Sequence, residues 1–419
     1  MNILIEKSLG GGRIRAVTSK SAAHRLLICA ALAQGETELE CSDVSRDIAA
    51  TADCLNDLGA RITRTAKGYH IIPADRSRLP ETAACPCGES GSTLRFLIPV
   101  AAALGVGADF TPEGRLPQRP LSPLYEELTA HGVELSPPGS VPFRVRGTLP
   151  GGDYTLAADV SSQFISGLLF ALPLTGGDSR LRLTGKFESR SYVDMTVDAL
   201  RKFGASIEFD NNEYIIRGGA LRSPGAVRAE GDWSNAAFWL CAGAVGAPVT
   251  VTGLDPASLQ GDRAVVEILK RFGASVAVNA QGVSVSPAPL RGIEINAENI
   301  PDLVPVLAVT ACAAAGDTTI YNASRLRLKE SDRIETVISL IRALGGEAEE
   351  TADGMIVRGR RLSGGACDSF GDHRIAMSAA VASAQCAGPV SVTGAEAVEK
   401  SYPRFWEDFT ALGGVPQSL

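Results

Sequence analysis

The sequence predicts a mixed α/β protein of six related modules, gathered into two bodies of three. Three observations predict it. A helical pattern ending in Gly recurs at Gly59, Gly132, Gly204, Gly273, Gly345 and Gly413, at intervals of 73, 72, 69, 72 and 68 residues. Between these, a second series of helices is apolar on all sides, and most run into a strand-like stretch. Hydrophobic residues make up 45% of the chain and charged residues 21%, enough apolar surface for a large core and too much for a disordered chain. At about 150 residues per domain, the 419 residues would suggest about three domains. The repeat replaces that figure with six units. Solenoid repeats usually run to about 20–50 residues, so these longer units read as small α+β modules. The midpoint, LRSPGAVRA over 221–229, carries a Ser-Pro-Gly hinge signal.

The modules follow in order. The first has AAHRLLICAALAQG leading to TELEC, then CLNDLGA leading to ARITR. The second has STLRFLIPVAAALG and then EELTAHGV. The third has SQFISGLLFALPLTGG with SRLRLTG, then ALRKFGA with ASIEFD. The fourth has SNAAFWLCAGAVG with PVTVTGL, then ILKRFGA with ASVAVN. The fifth has LVPVLAVTACAAAG with DTTIYNA, then LIRALGG. The sixth has HRIAMSAAVASAQCAG with PVSVTGA, then DFTALGG. A helix apolar all round is buried all round, whereas the Gly-terminated helix carries one apolar face. Each module therefore has one inner and one outer helix, and the final Gly suits a left-handed C′ position.

Composition excludes several functions. A net charge of −7 argues against a broad basic surface for nucleic acid or anionic membrane. The longest apolar stretches, 238–254 and 303–315, are short for a bilayer span and are interrupted by Gly and Pro. The N-terminal MNILIEKSLGGG lacks the basic and apolar regions of a secretory signal, so a cytoplasmic protein is expected. Nine scattered cysteines include one close pair, Cys85 and Cys87, and the four histidines show no H-x-x-x-H spacing. The cysteines are expected as thiols, with no metal site and no cofactor.

The starts of the apolar helices are unusual. Lys20, Ser90, Ser161, Asp232, Asp302 and Asp372 fall at intervals of 70, 71, 71, 70 and 70 residues. Ser and Asp are good N-caps, which is the plain explanation. It leaves unexplained why the first half uses neutral or cationic groups and the second half acids. A helix N-terminus attracts phosphate and carboxylate, so the Ser- and Gly-rich starts are candidate anion sites. The aspartates either cap or do proton chemistry.

The second helix of each module has a marked start too. Arg119, Arg190, Gln260, Lys329 and Lys400 are spaced by 71, 70, 69 and 71 residues. A lone Lys or Arg is usually a solvated charge. Cations at equivalent positions, at the end of the dipole that disfavours them, look like ligands for a multiply charged anion. The run 328–333 holds Lys329, Glu330, Asp332 and Arg333. At a helix start, Lys329 and Arg333 would share a face, with Glu330 one turn from Arg333.

These residues carry a family resemblance over nearly the whole chain. The motifs are SKSxxxR (19–25), CGESGSTLR (87–95), Arg119-Pro120, VSSQF (160–164), SRSY (189–192), IPD (300–302), LKESDR (328–333), GDHRxAM (371–377) and Lys400. Together and in this order, the chain resembles the EPSP synthases, or 3-phosphoshikimate 1-carboxyvinyltransferases, of the enolpyruvyl transferase family. The resemblance implies a two-lobed, inside-out α/β barrel-like fold of six β-α-β-α-β-β units, three per lobe. It implies one discontinuous lobe, 1–18 with 229–419, another over 19–228, and helix N-termini facing a cleft. The implied reaction moves the enolpyruvyl group of phosphoenolpyruvate to the 5-hydroxyl of shikimate 3-phosphate and releases phosphate. The partners are those two small molecules, with no nucleic acid or membrane, and a monomer is expected.

By the same resemblance, Lys20, Ser21, Arg25, Ser161, Ser162, Gln163, Ser189, Asp302 and Lys329 meet shikimate 3-phosphate. Lys20, Gly91, Arg119, Gln163, Arg333, Arg374 and Lys400 meet phosphoenolpyruvate. Asp302 accepts the 5-hydroxyl proton, Glu330 gives a proton to C3, and Lys20 is the third catalytic candidate. The chain departs from many members at Glu89 and Arg325, where Asn is common, and at Phe96, where plant-like members have Pro. These departures bear on the phosphoenolpyruvate pocket and on the response to glyphosate, for which Gly91 points towards sensitivity. The sister transferase acting on UDP-N-acetylglucosamine usually has Lys-Asn where this chain has Lys20-Ser21, and a Cys where it has Gly114. A non-catalytic anion-binding repeat protein would need neither Asp302 nor Glu330.

Overall fold

Among the described residues, twelve α-helices follow one another in two alternating kinds. They are α1 (Lys20–Leu32), α2 (Arg46–Asp57), α3 (Gly91–Leu104), α4 (Leu124–Ala130), α5 (Ser162–Ala171), α6 (Arg190–Lys202), α7 (Trp233–Val245), α8 (Val265–Phe272), α9 (Val304–Ala311), α10 (Arg333–Ala343), α11 (His373–Ala382) and α12 (Phe405–Ala411). The computed structural model in which they are seen describes residues 1–419, apart from the side chain of Lys7. The odd-numbered helices are the apolar series. α9 is buried at every position, and α3 at all but its polar Ser92 and its last two residues. The even-numbered helices bury one face: α6 buries Val193, Met195, Thr196, Val197, Ala199 and Leu200 and exposes the basic end at Arg201 and Lys202.

The six terminal glycines all have positive φ: 106° at Gly59, 86° at Gly132, 83° at Gly204, 106° at Gly273, 82° at Gly345 and 89° at Gly413. An L side chain is strained there, so the recurring Gly in the sequence is a backbone requirement of each module's turn.

Among the described residues there are six sheets, each of four strands. The strands expected after the helices are present: Thr37–Glu40, Arg61–Arg64, Ser179–Thr184, Ile207–Asp210, Val249–Thr252, Ser275–Asn279, Asp317–Tyr321 and Val390–Thr393. Two sheets are completed by distant segments. Ala226–Arg228 pairs in parallel with Thr37–Glu40, so the segment 20–229 closes on itself. Asn2–Lys7 lies between Val390–Thr393 and Val415–Ser418, antiparallel to both, and Gly12–Arg15 runs parallel to Val249–Thr252.

The chain accordingly divides into two compact units, Met1–Ser19 with Glu230–Leu419, and Lys20–Ala229. Each has its own apolar core. One includes Trp233, Trp239, Leu307, Ile341, Met377 and Phe405. The other includes Leu27, Leu97, Phe110, Phe164, Leu168 and Phe203. In the second unit α3 and α5 pack closely. A Cβ on Gly167 of α5 would stand 2.5 Å from the carbonyl oxygen of Arg95 on α3, so only Gly fits. Among the described residues no helix is long and apolar enough to cross a membrane.

Candidate active site

In the Lys20–Ala229 unit, the starts of α1, α3 and α5 carry the residues expected from the sequence to bind anions. α1 begins at Lys20 itself, whose Nζ donates to Asp47 Oδ2 at 2.8 Å. Ser90 caps α3 by accepting from the amide of Thr93, and Ser161 caps α5 by accepting from that of Gln163. Both caps therefore satisfy one terminal N–H and leave Gly91 and Ser162 as the first helical residues. A Cβ on Gly91 would lie 2.9 Å from Arg119 Nη1 and 3.1 Å from Arg95 Nη1. The bare backbone is thus what lets two guanidinium groups reach the start of α3.

Arg25 is 3% exposed. It donates from Nε to Thr196 Oγ1 at 2.8 Å, from Nη1 to the Ser21 carbonyl at 2.7 Å and from Nη2 to the Tyr192 carbonyl at 2.7 Å. These acceptors are neutral, and burial pushes Arg25 down to about 10. Its guanidinium lies 5.3 Å from the centre of the Phe96 ring. Phe96 thereby offers its ring face to Arg25. Ser189 stands at the start of α6 with φ 51° and is 3% exposed. Glu89 occupies the space beside Gly114, whose Cβ would fall 2.8 Å from the Glu89 Cδ.

In the other unit, the three aspartates divide. Asp232 caps α7 by accepting from Asn235 N at 2.7 Å, and Asp372 caps α11 by accepting from Arg374 N at 2.9 Å. Asp302 does not stand at the capping position, which is Leu303 for α9. It sits in a 3₁₀ turn, Pro301–Leu303, ahead of α9. Its carboxylate turns to cations instead: Arg333 Nη1 at 2.8 Å, Arg374 Nη2 at 3.2 Å and Lys329 Nζ at 3.6 Å. Arg374 also donates to the Asp302 carbonyl at 3.0 Å.

Arg333 is the hub. Only 1% of its side chain is exposed, and it reaches Asp302, Glu330 Oε2 at 2.8 Å and Asp372 Oδ2 at 2.8 Å. Three carboxylates and three cations thus form one connected network, with Lys329 and Arg374 joined through Asp302. Burial favours protonated Asp302, yet Arg374, Lys329 and Arg333 outweigh it and hold the carboxyl well below the usual carboxylate range. Burial pushes Lys329 down to about 8, with Asp302 opposing. Burial also works against the charge on Arg333, but Asp372, Glu330 and Asp302 overcome it and keep the guanidinium firmly protonated. Lys400 is 9% exposed at the end of a 3₁₀ turn, Ala395–Lys400.

Three expectations are corrected. Lys329 and Arg333 do not share a helix face. Asp332 caps α10 by accepting from Ile334 N and Glu335 N, so Lys329 and Glu330 lie on the preceding loop. Arg190 is a half-exposed surface cation, 3.6 Å from Asp194 and over the Phe187 and Phe209 rings. Gln260 is internal scaffolding: its amide accepts from Trp233 N and donates to the Gly231 carbonyl.

In each unit, further charged residues stand beside these groups. Asp47 pairs with Lys20 from 27 residues away. Asp262 is 2% exposed, and burial and the charge of Asp302 push its carboxyl up to about 7 against the pull of Arg374. Arg95 donates to Gln163. The sequence signal for Arg95 was its place in the CGESGSTLR tract. Asp47 and Asp262 carried none.

Comparison with known proteins places the chain among its relatives. A family model described as EPSP synthase (3-phosphoshikimate 1-carboxyvinyltransferase) matches residues 7–409. The 3-phosphoshikimate 1-carboxyvinyltransferase of Clostridium kluyveri is 44% identical over 406 residues, covering 96% of this chain and 95% of that protein. Its counterpart from Clostridium novyi is 40% identical, covering 99% and 98%. A solved EPSP synthase from Acinetobacter baumannii superposes with a TM-score of 0.83 at 26% identity, covering 100% of both chains.

Proposed function

The chain belongs to the EPSP synthase family, and on that premise we propose how its residues perform the family's reaction. The enzyme transfers the enolpyruvyl group of phosphoenolpyruvate to the 5-hydroxyl of shikimate 3-phosphate and releases phosphate, within the shikimate pathway. Both substrates are phosphorylated carboxylates. That accounts for cations gathered at helix starts in a protein whose net charge is −7.

In our reading, Lys20, Ser21, Arg25, Ser161, Ser162, Gln163, Ser189 and Lys329 take shikimate 3-phosphate. Lys20, Gly91, Arg119, Gln163, Arg333, Arg374 and Lys400 take phosphoenolpyruvate. C3 of phosphoenolpyruvate gains a proton from Glu330 while the 5-hydroxyl oxygen bonds to C2 and gives its proton to Asp302. C3 of the tetrahedral intermediate then returns a proton to the Glu330 carboxylate, the C2–O bond to phosphate breaks, the phosphate leaves with the proton held by Asp302, and the alkene re-forms.

The observation that carries this assignment is the company Asp302 keeps. Its oxygens face Arg333, Arg374 and Lys329, the cations assigned to the substrates. A carboxylate so paired is ionised at neutral pH and able to accept a proton, but a weak base. Substrate anions draw those cations away, so Asp302 gains basicity as the substrates arrive. Asp302→Ala and Glu330→Gln are expected to lower kcat by roughly 10²–10⁴-fold, with substrate Kd values changed far less. Two variants that turned over normally would refute the proton-transfer roles.

A further inference from the structure

We propose that Arg95 is a positioning residue that fixes the amide of Gln163 so that its NH₂ end serves the phosphoenolpyruvate anion. This rests on the reading of Gln163 as a substrate ligand and extends it. A glutamine amide has an accepting end and a donating end, and an anion needs the donating one. Here the choice is made by neighbours. Arg95 Nη1 donates to Gln163 Oε1 at 2.8 Å, and Gln163 Nε2 donates to Ser92 Oγ at 3.0 Å. A flipped amide would set its N–H groups against the guanidinium N–H, donor against donor. Ser92 takes one hydrogen of Nε2, and the amide carries a second for the ligand.

Arg95 is itself held from several sides. It is 3% exposed, its Nη2 donates to the Pro120 carbonyl at 3.1 Å, and its guanidinium lies 5.5 Å from the centre of the Phe164 ring. Pro120 follows Arg119. The Arg95 carbonyl faces Gly167, where any Cβ would collide, and its Nη1 lies 3.1 Å from where a Cβ on Gly91 would stand. One buried cation thus touches the surroundings of three assigned phosphoenolpyruvate ligands: Gly91, Arg119 and Gln163. The fork of a guanidinium is what permits simultaneous donation to Gln163 and Pro120. A lysine at this position keeps the charge and loses one of the two bonds.

The test is a double-mutant cycle read by steady-state kinetics on the full chain. Arg95→Lys is expected to raise KM for phosphoenolpyruvate about tenfold, with kcat changed less than about threefold, and to add less than about twofold in a Gln163→Ala background. Equal costs of Arg95→Lys in both backgrounds, or wild-type kinetics for Arg95→Lys, would overturn the proposal. Gln163→Ala with an unchanged KM would instead refute Gln163 as a ligand, so the two failures are distinct. Gln163→Glu covers the case of an unfolded Arg95→Lys. Its carboxylate still accepts from Arg95 but lacks the N–H groups, so it should keep the wild-type melting temperature and lose phosphoenolpyruvate affinity. Wild-type affinity in Gln163→Glu would overturn the proposal.

Discussion

If Lys329 holds shikimate 3-phosphate as proposed, binding of that substrate should be sensitive to alkali. Its ammonium lies 3.6 Å from Asp302 Oδ1, and burial pushes it down to about 8. The charged form is the better partner for an anionic substrate, so affinity should fall as pH rises through that value. From pH 7 to pH 9 the protonated fraction drops from about nine-tenths to about one-tenth, so KM for shikimate 3-phosphate should rise by up to about tenfold. The substrate phosphate has its second pKa near 6 and stays doubly charged across this range, so the change belongs to the enzyme. Initial rates of phosphate release at saturating phosphoenolpyruvate, from pH 6.5 to 9.5, measure it. The falling limb should appear in kcat/KM for shikimate 3-phosphate, which reports the form of the enzyme to which it binds, and be weaker in kcat. Lys329→Arg, charged throughout, should give a flat KM. A wild-type KM unchanged between pH 7 and 9, or the same slope in Lys329→Arg, would refute the reasoning.

Two further perturbations act at other residues assigned to the substrates. Gly91→Ala adds a Cβ 2.9 Å from Arg119 Nη1, the far end of a flexible side chain. The fold should survive with a melting temperature close to wild type, while KM for phosphoenolpyruvate rises. An unchanged KM would show that Arg119 does not serve from the start of α3. Arg333→Ala leaves Asp302, Glu330 and Asp372 without the hub that is 1% exposed and pairs with all three. It should destabilise the protein by roughly 3–5 kcal/mol in urea unfolding, and a loss below about 1 kcal/mol would mean that the three acids find other partners.

Much of the architecture was legible because its signals are local. A helix apolar on every face must be buried, and a Gly at positive φ marks the turn that ends each outer helix, so the sixfold period stood out. The capping roles of Ser90, Ser161, Asp232 and Asp372 were legible for the same reason. Asp302 was not, because Pro301 opens a 3₁₀ turn and Pro305 lies at the start of α9, which displaces the acid from the capping position and turns it to side chains from α10, α11 and the loop before α10. The equal spacing of Arg190 and Gln260 with Lys329 was misleading. Equivalent positions in a repeat share backbone geometry, while their side chains meet different neighbours. The pairs Lys20 with Asp47 and Arg95 with Gln163 join different helices, and nothing in the local sequence announces them.

The central claim is the reaction itself. Purified protein should release inorganic phosphate from phosphoenolpyruvate when shikimate 3-phosphate is present, one phosphate per enolpyruvyl transferred, and none when UDP-N-acetylglucosamine replaces it. No release with shikimate 3-phosphate, against release with UDP-N-acetylglucosamine, would contradict the account.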